Sequence, residues 1–258
     1  MVMALPAHGI QRLSGLPLSA DISQRPSPNC GPRRGGARPD IIVLHYTAMK
    51  SAEAAIARLC DPEAEVSAHY VICARGEITQ LVQEDARAWH AGAGAWGDVR
   101  DVNSRSIGIE LANLGNVPFA AAQMDALEGL LAGIMARWAI PASRVIGHSD
   151  MAPGRKFDPG ARFDWARLVR AGLAVGAGDV LPTGKIAGKI AGQGADRDMM
   201  LRALAAFGYD VEVPFEALLG AFRLRFRQGF DGPYDGIDLA LAQDLAARFA
   251  VDQPAPSA

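Results

Sequence analysis

The spacing of hydrophobic positions along the chain predicts a mixed central sheet flanked by helices. Residues 40–46 (Asp-Ile-Ile-Val-Leu-His-Tyr) form an unbroken apolar run, which is typical of a strand that is covered on both faces. Residues 106–111 alternate instead, so that one face of the strand is apolar and the other carries Glu110. A carboxylate on a central strand requires a partner or a chemical role.

Shorter segments complete this α/β pattern. Residues 66–73 and 78–82 are separated by a turn that contains Gly76, which is the signature of a hairpin. Apolar residues recur at helical spacing from 120 to 138, which predicts a helix packed on the sheet. Further helices are predicted at 51–60 and 163–173, and a short buried strand at 145–146.

Changes in composition divide the chain into four parts. Residues 1–39 are rich in Pro, Gly, Ser and Arg and are predicted to be loop, with an N-terminal extension over 1–24. Residues 176–195 repeat Gly-Lys-Ile-Ala and are predicted to form a linker. Three amphipathic patterns within 196–252 predict a small three-helix C-terminal domain. Residues 25–175 form the main α/β domain.

Composition and charge narrow the classes of function. Half of the 258 residues are apolar, enough for a substantial core, and the net charge of −2 gives no reason to expect a nucleic-acid or membrane surface. No apolar run approaches the roughly 18 residues of a membrane span. The first 24 residues lack a cationic segment followed by an apolar one, so we expect a cytoplasmic protein. We also expect a monomer. A different translation start would allow the periplasm or the envelope.

Two further patterns concern reactive side chains. The three cysteines form no Cys-x-x-Cys pair and are expected to be unpaired thiols that bind no metal. The loop at 147–160 carries His148, Lys156 and Asp158 between Pro and Gly residues. Because His148 and Asp158 are ten residues apart, the loop must curl back for them to meet. A shared metal ion is one physical reason for it to do so.

A hydrolytic zinc site is one hypothesis for these groups. With His45 at the end of the first strand, two imidazoles and one carboxylate make a set that leaves a coordination place open for water, whose pKa zinc lowers to roughly 7. Glu110 is then the candidate proton acceptor and Lys156 the candidate oxyanion donor. The patterns alone leave open a structural His45, an ion-paired Glu110 and a solvated Lys156.

Five blocks of the sequence, in order, resemble the type-2 N-acetylmuramoyl-L-alanine amidases, a zinc amidase family related to peptidoglycan recognition proteins. The resemblance covers about residues 25–170. The blocks are Ile-Val-Leu-His-Tyr-Thr-Ala at 42–48, Ser-Ala-His-Tyr-Val-Ile at 67–72, Ala-Trp-His-Ala-Gly at 88–92, Ser-Ile-Gly-Ile-Glu-Leu at 106–111, and Gly-His-Ser-Asp-Met-Ala-Pro-Gly-Arg-Lys-Phe-Asp-Pro-Gly at 147–160.

The resemblance implies a role for each matched residue. His45, His148 and Asp158 would bind one zinc ion, Glu110 would be the catalytic base, and Lys156 would stabilise the transition state. The implied reaction is hydrolysis of the amide between the lactyl group of N-acetylmuramic acid and L-alanine, in peptidoglycan or in (anhydro)muropeptides. Further candidates to line the site are His69, His90, Trp89, Trp96 and Asn113.

The C-terminal part resembles a degenerate peptidoglycan-binding domain of the three-helix type. Leu201-x-x-Leu204-x-x-Phe207 carries this resemblance, and Val211–Pro214 stands where the Asp-Gly-x-x-Gly signal of that domain is expected. The domain would therefore either bind glycan or only pack on the main domain, in a two-domain layout like that of AmiD amidases. Two alternatives for the whole chain are a non-catalytic muropeptide sensor and a zinc peptidase that acts within the stem peptide.

Overall fold

The computed structural model describes residues 22–178 and 196–251. The N-terminal extension and the linker expected from the sequence lie almost entirely outside these residues. The strands are β1 (Ser23–Gln24), β2 (Cys30–Pro32), β3 (Ile41–Tyr46), β4 (Tyr70–Ile72), β5 (Ile78–Gln80), β6 (Ala86–Ala88), β7 (Ser106–Leu111) and β8 (Val145–Gly147).

The helices are interspersed among these strands along the chain. They are α1 (Ala52–Leu59), α2 (Val102–Arg105), α3 (Ala121–Trp138), α4 (His148–Met151), α5 (Trp165–Arg170), α6 (Arg197–Phe207), α7 (Phe215–Phe226) and α8 (Gly236–Phe249). Short 3-10 turns cover Arg34–Gly36, Pro62–Ala64 and Ala142–Arg144. The hydroxyl of Ser51 accepts the backbone N–H of Ala54 and caps α1, as the sequence predicts.

The central sheet is mixed and has six strands in the order β1-β5-β4-β7-β3-β8. Strand β3 is parallel to both β7 and β8, and β4 and β5 form the predicted antiparallel hairpin. In this register His45 lies directly beside Glu110, and Leu44 lies beside Gly147. The carboxyl ends of three parallel strands therefore deliver candidate site residues to one edge of the sheet.

Each face of the sheet packs against helices. On one face, Ile42 and Leu44 join Leu127 and Leu131 of α3 in a buried cluster. On the other face, Ile41, Val43 and Ile146 belong to a cluster that also contains Leu204 of α6, Leu218 of α7 and Leu241 of α8. The expected α/β class, with a mixed sheet flanked by helices and a C-terminal helical region, is confirmed. The C-terminal helices therefore share a buried hydrophobic cluster with the sheet.

Some elements differ from the sequence-based prediction. Within the stretch expected to be loop, β1 pairs with β5 and β2 pairs with β6 in a separate two-stranded sheet. These short strands form through long-range hydrogen bonds, which local periodicity does not report. The predicted helix at 163–173 is limited to α5, whose N-terminus is capped by Asp164.

Two expectations about the chain as a whole can be compared with this fold. Within residues 22–178 and 196–251, no helix is long and apolar enough to cross a membrane. The thiols of Cys30, Cys60 and Cys73 are unpaired, as expected.

Candidate metal centre

Three of the predicted site residues meet at one point on the edge of the sheet. Asp158 Oδ2 lies 2.9 Å from His45 Nδ1 and 3.0 Å from His148 Nδ1, and the two ring nitrogens are 2.9 Å apart. All three side chains are buried. Ligand atoms around a tetrahedral zinc ion are about 3.4 Å apart, given metal–ligand bonds of about 2.1 Å. The three atoms therefore have nearly the spacing that one small cation requires.

The loop that carries two of these residues curls back through its own backbone hydrogen bonds. Strand β8 ends at Gly147, and His148 begins the single helical turn α4. The Ser149 N–H then donates to the Asp158 carbonyl over 2.9 Å, and the Lys156 N–H donates to the Ala152 carbonyl over 3.0 Å. These bonds bring His148 and Asp158 together, although they are ten residues apart in the sequence.

A chain of hydrogen bonds fixes the tautomer of His45. The Ser106 hydroxyl donates its only hydrogen to the Val102 carbonyl at 2.6 Å, so it accepts from His90 Nε2 at 3.1 Å. His90 Nδ1 is then an acceptor, and the His45 Nε2–H donates to it over 3.0 Å. His45 Nδ1 is left with a lone pair directed at Asp158 and His148. An unprotonated ring nitrogen is what a metal ion binds.

His148 is held in the same way from its other side. Its Nε2–H donates to the Ala91 carbonyl over 2.8 Å, which leaves the Nδ1 lone pair free to act as a ligand. Burial, together with the neighbouring His148, lowers the pKa of His45 to about 4, so this imidazole is neutral. Burial alone would raise the pKa of Asp158, but the imidazoles of His148 and His45 beside its carboxylate outweigh burial and hold that pKa well below its usual value. Two imidazoles beside an ionised carboxylate suit a divalent cation.

His90 is expected to support metal binding without touching the metal. Removing its ring in His90→Ala takes away the acceptor that orients His45, and outer-shell changes of this kind weaken metal affinity by ~10–100-fold. The measurement is zinc affinity by competition with a chelator. Ser106→Ala removes only the far end of the same chain and should have a smaller effect. Wild-type affinity in both variants would contradict this role.

Space for His90 depends on a glycine in the neighbouring strand. A Cβ atom on Gly108 of β7 would lie 2.4 Å from the His90 ring, which is closer than real contacts allow. The glycine in the block at 106–111 therefore has a packing reason. It lets the imidazole lie flat against the sheet and reach His45.

Glu110 is the polar side chain in this region whose hydrogen-bonding capacity is least satisfied. Its Oε2 atom is buried and has no hydrogen-bond partner among the described residues, while the side chain lines the same cleft as the three candidate ligands. Burial and the negative charge of Asp158 raise the pKa of Glu110 to about 8, and Lys156 opposes this shift. Among the described residues, Glu110 forms no ion pair, so the alternative of an ion-paired, structural Glu110 is not supported.

The cleft above these residues has a volume of about 400 Å³. The predicted residues His45, Glu110, His148, Lys156 and Asp158 all line it. Trp89 and His90, two of the five further candidates, also line the cleft. The structure therefore brings the five principal predicted residues to a single open site.

The other three candidate lining residues lie outside the cleft. His69 is fully buried, where its Nδ1 accepts the Gly108 N–H over 2.9 Å. Trp96 is also fully buried, and its ring packs edge-on against Phe207 of α6. Asn113 uses its side-chain oxygen to accept the Gly115 N–H over 2.7 Å, which shapes a turn. These residues support the site from a distance or hold other parts of the fold.

Sequence reasoning missed several residues that line the cleft, among them Arg58, Arg155 and Phe157. Phe157 is 60% exposed although it is a large apolar residue. Arg155 and Phe157 stand on either side of Lys156, so their place in the block at 147–160 was an available signal. Arg58 comes from α1, and no pattern in the sequence connects it with this loop.

Comparison with known proteins identifies the family. The family model described as N-acetylmuramoyl-L-alanine amidase matches residues 35–161. The chain is 35% identical over 234 residues to the N-acetylmuramoyl-L-alanine amidase AmiD of Escherichia coli (strain K12), covering 82% of this chain and 84% of that protein. The chain belongs to the N-acetylmuramoyl-L-alanine amidase family. It is a hydrolase of this class.

Solved structures of related amidases have the same fold. An E. coli AmiD complex with the substrate anhydro-N-acetylmuramic acid-L-Ala-D-γ-Glu-L-Lys matches with a TM-score of 0.74 and 33% identity, over 88% of this amidase and 94% of that chain. AmpDH3 from Pseudomonas aeruginosa in complex with an anhydromuramic pentapeptide matches with a TM-score of 0.74 and 31% identity, over 84% and 95% of the two chains. Both matches extend beyond the sheet into the C-terminal helices.

Proposed function

We propose that this amidase hydrolyses the amide bond between the lactyl group of N-acetylmuramic acid and L-alanine in muropeptides or peptidoglycan. It does so with one zinc ion held by His45, His148 and Asp158. The convergence of those three ligand atoms to within about 3 Å of one another supports the proposal most strongly. Support for the substrate comes from the anhydromuropeptides in the structures of AmiD and AmpDH3.

The donor set fits zinc in its chemistry as well as its spacing. Two neutral imidazoles and one carboxylate are the protein ligands of many hydrolytic zinc sites, which keep one coordination place open. The open cleft on one side of the set is consistent with this requirement. When bound, the ion would supply Lewis-acid activation of water and of the amide carbonyl.

Glu110 acts as the general base and then as the general acid. It accepts a proton from the attacking water and later delivers a proton to the nitrogen of the leaving L-alanine. Burial raises its pKa to about 8 in the absence of a metal charge, and a nearby cation shifts the pKa of a carboxyl group downward. A bound cation would therefore favour the ionised form of Glu110, which is the form that accepts a proton from water.

Lys156 stabilises the oxyanion that develops on the amide carbonyl. It lines the cleft two residues before Asp158, on the same loop as two of the ligands, and its positive charge acts on Glu110. A fixed cation aimed at developing negative charge lowers the barrier because little reorganisation is needed during the reaction. Lys156 therefore contributes to turnover more than to binding of the ground state.

The remaining lining residues suit the two halves of the substrate. Trp89 and Phe157 present aromatic surface, against which a sugar ring can pack. The guanidinium of Arg58 supplies positive charge from α1, which suits the carboxylates of a stem peptide. These contacts would place the lactyl amide above the candidate metal centre.

The bond that is broken can be identified directly. The zinc-loaded protein is incubated with anhydro-N-acetylmuramic acid-L-Ala-D-γ-Glu-L-Lys in ¹⁸O-labelled water, and the products are analysed by mass spectrometry. We expect an anhydro sugar with one heavy oxygen in its lactyl carboxylate and an intact peptide that begins with L-Ala. Cleavage only within the peptide would identify a zinc peptidase instead. Binding without any product would identify a non-catalytic sensor.

A further inference from the structure

The C-terminal helices reach into the loop that carries two candidate metal ligands. We call residues 147–158 the metal loop. Within it, Asp150 is fully buried, and its Oδ2 accepts the Gly147 N–H over 2.8 Å. The same oxygen accepts from Arg225 Nη1 of α7 at 2.9 Å, and Oδ1 accepts from the Tyr209 hydroxyl at 2.5 Å. Two side chains from the C-terminal helical region therefore converge on one carboxylate of the metal loop.

Arg225 is buried in a way that does not favour stability by itself. Its side chain is 1% exposed, and its Nε and Nη2 atoms have no hydrogen-bond partner among the described residues. The guanidinium carbon lies 4.5 Å from the centre of the Trp165 ring, which partly compensates for lost hydration. Replacing a buried ion pair with apolar residues often leaves stability unchanged or improves it. The pair between Arg225 and Asp150 therefore calls for a reason other than stability.

Helix α7 also lies along the rest of the metal loop. Gly154 has a positive φ of 75°, and a Cβ atom there would lie 2.9 Å from the Cβ of Ala217. Met151 and Ala152 share their hydrophobic cluster with Leu218 and Phe222 of the same helix. One helix of the C-terminal region thus contacts the metal loop at its beginning, at its middle turn and at the bend before Lys156.

We propose that Arg225 and Tyr209 are positioning residues for the metal centre, acting through Asp150. They fix the carboxylate of Asp150, which holds the Gly147 N–H and so sets the direction in which His148 leaves β8. The N–H of Ser149, on the other side of His148, is bonded to the carbonyl of Asp158, so the second ligand follows the first. The C-terminal helices thereby help to position the metal ligands, independently of any contact that they make with the cell wall. This inference rests on the proposed function of His148 and Asp158 as ligands.

The test compares zinc affinity and kinetics in the full-length chain. Tyr209→Phe removes one hydroxyl, Arg225→Met removes the charge, and Arg225→Lys retains it. We expect Arg225→Met to bind zinc ~10-fold more weakly in competition with a chelator, as is typical for outer-shell changes, and Tyr209→Phe several-fold more weakly. Arg225→Lys should restore most of the affinity. In the zinc-saturated variants kcat should fall while KM for a soluble muropeptide stays near the wild-type value.

Two control variants separate positioning from general loss of stability. Asp210→Asn breaks an exposed ion pair with Arg100, at 2.7 Å, which joins the same two parts of the chain one residue away from Tyr209. Among the described residues, the Asp150 carboxylate accepts hydrogen bonds from Gly147, Tyr209 and Arg225, so Leu245→Ala removes buried apolar surface from α8 without removing any of them. Both controls should keep wild-type zinc affinity, with melting temperatures recorded for every variant.

The possible failures of this inference can be told apart. Wild-type zinc affinity and kcat in both Tyr209→Phe and Arg225→Met would overturn the positioning role and leave the proposed function intact. An equal loss of zinc affinity in Leu245→Ala would also overturn it, since the effect would follow stability alone. If the wild-type chain binds no zinc, the proposed function and this inference both fail. Tyr209→Phe is nearly isosteric, so it provides a folded variant if Arg225→Met does not fold.

Discussion

Asp158→Ala is expected to remove bound zinc from the protein and to abolish hydrolysis of the muramoyl amide. The variant deletes the carboxylate from a set whose other two members are imidazoles. The loss of affinity should exceed the ~10–100-fold that is typical for outer-shell residues, because a ligand itself is removed. His45→Ala and His148→Ala should behave in the same way. The measurement is zinc content per chain after dialysis, together with kcat on a soluble muropeptide.

A neighbouring carboxylate provides the matched control for this experiment. Asp164 lies six residues further along the chain and caps α5 by accepting the Arg167 N–H over 2.9 Å. Asp164→Ala should therefore cost some stability and leave zinc content at the wild-type level. Full zinc occupancy in any one of the three ligand variants would show that the ion is held elsewhere.

Glu110→Gln is expected to keep its zinc and to lose most of its turnover. The amide has nearly the same shape as the carboxyl group but cannot accept a proton from water or deliver one to the leaving amine. Positioned general acid–base groups contribute ~10²–10⁴-fold to rates, so kcat should fall by a factor in that range. Zinc analysis and kcat are measured on the same sample. A near-normal kcat would exclude Glu110 from the mechanism.

Glu110→Gln should lower turnover, but it should raise the stability of the metal-free protein at alkaline pH. Burial raises the pKa of Glu110 from 4.5 to about 8, so the folded state binds this proton more tightly than the unfolded state. Its favourable contribution is complete below pH 4.5 and is lost as the pH rises through about 8. Glutamine stays neutral throughout. Metal-free Glu110→Gln should therefore melt at a temperature on the order of 10 °C higher than the wild type at pH 8, and at nearly the same temperature at pH 4.

Local patterns in the sequence predict much of the sheet and of the site. The apolar run that ends in His45 and the alternation around Glu110 predict strands with one or both faces buried. Both strands are buried in the fold. The residues that meet at the metal centre stand in compact blocks, each at a strand end. For this reason a sequence can indicate them even though His45 and His148 are 103 positions apart.

The features that sequence reasoning missed depend on contacts between distant segments. Trp96 looks like an aromatic residue of a glycine-rich loop, yet α6 covers it completely. Asp150 and Arg225 are 75 residues apart, and each by itself resembles an ordinary surface charge. The spacing of apolar residues within one segment does not indicate which helix packs on which loop. The shared core and the buried ion pair become visible only when the C-terminal helices are placed on the sheet.

Titration of the metal-free protein with zinc tests the central claim most directly. Hydrolysis of anhydro-N-acetylmuramic acid-L-Ala-D-γ-Glu-L-Lys is followed while zinc is added in fractions of an equivalent, with Asp158→Ala measured in parallel. A single zinc centre formed by His45, His148 and Asp158 predicts that the rate rises in proportion to added zinc and levels off at one equivalent per chain, while the variant stays inactive. Full turnover by the metal-free wild-type protein, or equal restoration of Asp158→Ala at one equivalent, would contradict the account.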